Sequence, residues 1–290
     1  EIEGIEEEVM NPINASSLLH FTNSMDALKG ILEKGFRFSY CCEKVSATIN
    51  MNELHPEGAN FFRPSPNINS HIAIPMICFC DIPLTRAKLH SDTYGKFIVG
   101  VDKDMAITVF GDNINPVMYR TSQTIGFALH DLSVIKATID NVDGCYNYKR
   151  SLNQLIGNTK PYNGTVNGKD YCFYNEREWR ILIPFDYSED TKWYWDLSEE
   201  KFAVKKDEIN KILHSSEYAY RGFTTDIDNE EDFMQFITHI VVDTEANIPK
   251  LVEFILNEEQ PLFGYPKVSK RIRNFLVSRI TSFERIEKDY

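Results

Sequence analysis

Two glutamates and a histidine hold the most chemistry in this chain. Residues 174–180 read YNEREWR, which places Glu176 and Glu178 two apart with Arg180 just beyond. Along a strand successive side chains alternate between faces. Glu176, Glu178 and Arg180 are therefore expected on one face, and Arg177, Trp179 and Ile181 on the other. The run that follows, ILIP, is apolar and β-branched enough to anchor such a strand. Paired carboxylates in this arrangement can orient a hydroxyl nucleophile and stabilise a cationic, sugar-like transition state. The same spacing also suits a solvated strand edge on which Arg177 and Arg180 partly neutralise the acids.

His20 is the second centre. In LLHFT (18–22), Leu18, His20 and Thr22 alternate with Leu19 and Phe21. A neutral imidazole beside a hydroxyl can bond a ribose or amide group, and the same residue can equally pack at a sheet end. Cys78 and Cys80 share a strand face in PMICFCDIP, and Cys41 and Cys42 are adjacent. Zinc takes about four ligands at loop-friendly spacings. A C-x-C without knuckle glycines reads instead as buried free thiols. No nucleophile elbow, phosphate-binding loop or dinucleotide fingerprint occurs, so serine-hydrolase, P-loop and Rossmann readings lose their loops. Lys267, Lys270, Arg271, Arg273 and Arg279 form a basic run that reads as a solvated helix face.

The elements that must position these residues are legible in part. NSMDALKGILEKGF predicts a helix directly after His20, capped by Asn23 or Ser24, with Asp26 in its first turn. Leu28, Ile31 and Leu32 form its apolar stripe, and Gly35 its stop. Residues 43–71 are polar and irregular and predict a long surface loop. Strands are expected at 72–83, 96–102, 115–119 and 238–243. Residues 121–160 carry a weak helical pattern, and NQLIGNTKPYNGTVNGKD reads as a loop or hairpin. IPKLVEFILNEE predicts a helix, and KVSKRIRNFLVSRI a helix or a helix-to-strand transition.

With 290 residues, 42% hydrophobic and 26% charged, the chain is long and apolar enough to bury a substantial core. A formal charge of −12 argues against a general phosphate-backbone binder. Six cysteines in this length do not make a disulfide scaffold. No apolar run is long enough to span a membrane, and the acidic start lacks a leader's basic-then-apolar order. A cytoplasmic location is the expectation. Without repeats or a linker, the chain is expected as an N-terminal arm (1–17) and one domain (18–290).

Taken in order, LLHFTNSMDALKGILEKGFRFSYCCE, AIPMICFCDIPL, YGKFIVGV, NPVMY and EREWRI resemble the AbiGi family of abortive-infection phage-resistance proteins. Their layout is also similar to bacterial ADP-ribosyltransferase-like domains. The resemblance implies an α+β fold with a split, mostly antiparallel β core and flanking helices. It implies NAD as substrate and no metal, with His20, Phe21 and Thr22 on the first strand at the ligand. Tyr94 or Tyr119 would stack on the nicotinamide. Glu178 would hold the ribose and stabilise its oxocarbenium-like transition state, and Glu176 would orient a protein or nucleic-acid acceptor. No strand matches the S-T-S element of arginine-type transferases, which disfavours that class. The family is also described as the antitoxin member of a two-gene system. The alternative is therefore a non-catalytic antitoxin or sensor that binds a partner toxin or a phage component.

Overall fold

The computed structural model describes residues 15–44, 71–121, 146–166, 168–183, 192–195, 198–221 and 230–289. In chain order its strands begin with β1 (Ser17–Thr22), β2 (Phe36–Arg37), β3 (Ser39–Lys44), β4 (His71–Cys80) and β5 (Phe97–Asp102). Next come β6 (Ile114–Pro116), β7 (Met118–Arg120), β8 (Thr159–Pro161), β9 (Asn163–Val166) and β10 (Lys169–Cys172). The last are β11 (Glu178–Leu182), β12 (Tyr194–Trp195), β13 (Tyr220–Arg221), β14 (Ile237–Val242) and β15 (Ile280–Ser282).

The main sheet runs β15-β14-β5-β1-β4-β11-β6, with β3 and β12 also on β4. Its described ladders are antiparallel except β14 with β15. The mixed α+β class and mostly antiparallel sheet match expectation. β4 is the hub. β11 occupies one of its edges opposite residues 76–80. The other edge carries β3 opposite 71–76 and β1 only at the Leu19–Cys80 pair. The ladder is therefore open along that edge between these two contacts.

Local chemistry explains the elements around the opening. Ser24 caps the helix Met25–Lys34 by accepting from the Ala27 amide at 3.1 Å, and Leu28, Ile31 and Leu32 are buried. Gly95 ends the helix Lys88–Tyr94 at φ 97°, and a Cβ there would sit 2.3 Å from the Thr22 carbonyl. Only glycine lets this turn lie against β1.

Apolar residues cover both faces of the sheet. Leu18, Phe79, Val99, Ile181 and Ile240 join the main core with the helices Met25–Lys34, Lys103–Phe110, Ile248–Leu256 and Lys270–Ser278. On the opposite face, Leu19, Cys80, Ile98 and Val241 pack with Phe283 and Ile286 of the helix Phe283–Asp289. Ile72, Ile74, Met76, Leu182 and Trp193 form a third cluster.

Two expectations change here, and of the loop and hairpin alternatives for the polar stretch the hairpin is met. Ser17 already belongs to β1, so the strand starts inside the expected arm; residues 1–14 and 45–70, with most of the expected loop, lie outside the described residues. The polar stretch after the helix Tyr146–Gly157 forms β8 and a β9–β10 hairpin. Arg273 is not on a solvated face: it is 1% exposed and donates to the carbonyls of Ile255, Glu258, Gln260 and Val268.

Candidate functional site

Glu178 opens β11, where it pairs with Cys80, and Arg180 pairs with Cys78. The strand does not reach back to Tyr174 as the alternation predicted. Phe173–Glu176 is a 3₁₀ turn, and Arg177 follows it with φ 44°. That left-handed backbone is uncommon for a side-chain-bearing residue. The Arg177 carbonyl accepts from the Asp81 amide at 3.0 Å, which fixes the turn beside the end of β4. Glu176 thus reaches the carboxylate of Glu178 from a turn and not from the next position of a strand face.

Both acids are buried, Glu176 at 2% and Glu178 at 5% exposure, so the solvated-edge reading fails. What neutralises them is Lys160, whose Nζ donates to Glu176 Oε2 at 2.7 Å and to Glu178 Oε2 at 2.9 Å. Arg180, fully buried, donates through Nε to Glu178 Oε1 at 2.8 Å and through Nη2 to Oε2 at 3.1 Å. Its Nη2 also reaches Glu43 Oε1 at 2.8 Å, and Nη1 the Gly157 carbonyl at 2.7 Å. Tyr94 Oη donates to Glu176 Oε1 at 2.6 Å, and the Glu178 amide donates to Tyr119 Oη at 2.7 Å.

The electrostatics follow from burial and partners. Burial by itself raises the Glu178 carboxyl, but Arg180 and Lys160 overturn that and hold it well below the usual carboxylate range. Burial works against the charge on Lys160 too, and Glu178, Glu43 and Glu176 more than restore it. Burial and the adjacent Glu176 raise the Tyr94 phenol, which stays a donor. Glu178, Lys160 and Arg180 are therefore ionised at neutral pH.

His20 stands where β1 leaves β4. Its ring packs against Phe36 and Phe79 at centroid distances of 5.2 and 5.6 Å. Its Nδ1 lies 2.8 Å from the Cys78 carbonyl. A carbonyl only accepts, so Nδ1 carries the proton and the neutral ring keeps its lone pair on Nε2. Burial keeps this imidazole below its ordinary pKa, with partial compensation from that hydrogen bond.

A cleft of about 810 Å³ joins these groups. His20, Phe21, Tyr94, Glu176 and Glu178 all line it. Thr22 and Tyr119 are not among its lining residues; Tyr119 supports the Glu178 backbone from behind and meets Tyr174 edge-on at 5.4 Å. Of the two tyrosines, Tyr94 therefore lines the cleft and Tyr119 does not.

Lys160, Glu43 and Arg120 are charged residues of the site that were not singled out beforehand. Lys160 sits in TKP, where it looks like any loop lysine. Its placement comes from the parallel pairing of β7 with β8, which sets it opposite Tyr119. Cys41, Cys42, Cys78 and Cys80 line the same cleft. The thiols of Cys41 and Cys78 are hydrogen-bonded, which lowers Cys41 and raises Cys78. Among the described residues no group of three or more His, Cys, Asp or Glu is placed to hold a metal ion.

The molecule is thus an α+β protein with a buried carboxylate pair, an ordered histidine and a deep cleft on one sheet. It belongs to the AbiGi family: residues 37–228 match the family model described as "Putative abortive phage resistance protein AbiGi, antitoxin". It is 27% identical over 243 residues to the abortive phage resistance protein AbiGi of Lactococcus lactis subsp. cremoris, covering 75% of this chain and 89% of that protein. No solved structure matches it. Among the described residues no helix is long and apolar enough to cross a membrane.

Proposed function

We propose that this phage-resistance protein turns over NAD in the cleft, by transfer of ADP-ribose to a macromolecular acceptor or to water. One observation carries the reading: His20, Tyr94, Glu176 and Glu178, from three separate parts of the chain, line a single cleft. An ADP-ribosyltransferase-like division of labour then assigns each side chain a task. The Nε2 lone pair of His20 accepts from a ribose hydroxyl. Phe21 and Tyr94 offer flat surfaces to the nicotinamide. As the bond from ribose to nicotinamide breaks, its electron pair leaves with nicotinamide and positive charge develops on the sugar. The ionised Glu178 stabilises that charge. Glu176 takes the proton of the incoming hydroxyl as the new bond forms at the same ribose carbon.

A second reading has its own support. Both Glu178 oxygens already accept from Arg180 and Lys160, so the cluster can also be a structural keystone in a protein that binds a partner. The family description as an antitoxin fits a partner toxin. Nicotinamide release from NAD by the purified chain, alone and with phage lysate, separates the two. Under the enzymatic reading Glu178→Gln lowers release by roughly 100-fold or more in protein that is still folded by circular dichroism, although its melting midpoint falls because Arg180 and Lys160 lose a partner. No release by the wild type in either condition favours the partner-binding reading.

A further inference from the structure

Three arginines are buried among the described residues: Arg120, Arg180 and Arg273. Arg180 is matched by two carboxylates and a carbonyl, and Arg273 by four carbonyls. Arg120 is different. It is 8% exposed, yet its only hydrogen bond among the described residues runs from Nη2 to the Lys44 carbonyl at 2.9 Å. Its buried Nε has no partner, and no described carboxylate lies within ion-pair reach. A guanidinium has five donors in a planar fork, and burying its charge without an anion is costly. Fold stability alone does not account for keeping it there.

Its position supplies the reason. Arg120 ends β7 opposite Pro161 of β8, one residue along from the Tyr119–Lys160 pair, so it sits beside the carboxylate cluster on the same cleft wall. Lys44 and Thr121 line the cleft with it and add a second cation and a hydroxyl. The remaining cation on that wall, Lys160, is already held by Glu176 and Glu178. Burial lowers the Arg120 pKa, and Glu43, which lines the same cleft but is hydrogen-bonded to Arg180, opposes this only in part.

We propose that Arg120 is an anion-binding residue of the cleft and takes a phosphate of the bound ligand through its guanidinium fork. The inference rests on the NAD reading in one respect: NAD supplies the diphosphate next to the ribose held by Glu178. The subsite itself is defined by phosphate chemistry.

Calorimetric titration of the full chain with inorganic pyrophosphate and with ADP-ribose tests it. The wild type binds both. Arg120→Met weakens both by roughly 10- to 100-fold, and Arg120→Lys, which keeps the charge but not the fork, by an intermediate factor. Without ligand, Arg120→Met melts no lower than the wild type, because an unpaired buried charge has been removed. Equal affinities in wild type and Arg120→Met overturn the proposal, as does a wild type that binds neither compound. Pyrophosphate binding that depends on Arg120, in a protein that releases no nicotinamide from NAD, sinks the NAD reading and leaves this one standing.

Discussion

Lys160 is the residue on which the site turns. It is the cation common to Glu176 and Glu178, at 2.7 and 2.9 Å, and its Nζ lies 4.6 Å from the centroid of the Phe173 ring. Without it, two carboxylates would share a buried space with only Arg180 for compensation. Lys160→Met is expected to destabilise the protein by about 3–5 kcal/mol, the usual consequence of stranding a buried charge. Urea unfolding measures this directly. The double variant Lys160→Met with Glu176→Gln should recover part of the loss, because one stranded charge has gone. An unchanged unfolding midpoint in the single variant would refute the keystone role.

At the scale of elements, the cleft depends on how β4 shares its edge. β3 and β1 approach the same edge from opposite ends, and His20 reaches across the interval to the Cys78 carbonyl. β11 presents Glu178 and Arg180 from the other edge, and the β7–β8 pair brings in Lys160. Far from this, Arg273 ties the helix Lys270–Ser278 to the end of the helix Ile248–Leu256 through buried carbonyls. Arg273→Met leaves those acceptors unsatisfied and should cost about 2–4 kcal/mol. Pyrophosphate affinity of the folded protein should stay within twofold of wild type. A matching loss of affinity would mean that the two regions are coupled.

For the whole molecule the buried charges set the acid limit of stability. Glu178 stays ionised in the fold far below its ordinary value of 4.5, so the unfolded chain takes up that proton first as pH falls. Its contribution is complete above about pH 4.5 and declines below it. His20 and His90 are held neutral by burial, so a shallower loss begins as pH drops through their ordinary value of 6.5. Unfolding free energy measured from pH 8 to 3 should show both limbs, and Glu178→Gln should flatten the lower one. A curve that is level down to pH 3 would contradict the buried, ionised carboxylate. What the amino-acid sequence determined by itself was local: the capped helix after His20, the apolar strand MICFC, and the suspicion attached to Glu176 and Glu178. Cap chemistry, periodicity and β-branching act over a few residues, so they can be read without knowing the fold. Only the tertiary structure decided that these acids are buried, that Glu176 arrives from a turn, and that Tyr94 and not Tyr119 lines the cleft. Lys160 and Arg120 could not be found from their neighbours in the chain, because a lysine or arginine in a polar stretch is locally indistinguishable from any solvated one. Its partner is chosen by strand pairing across the sheet, and that pairing is where the site is made.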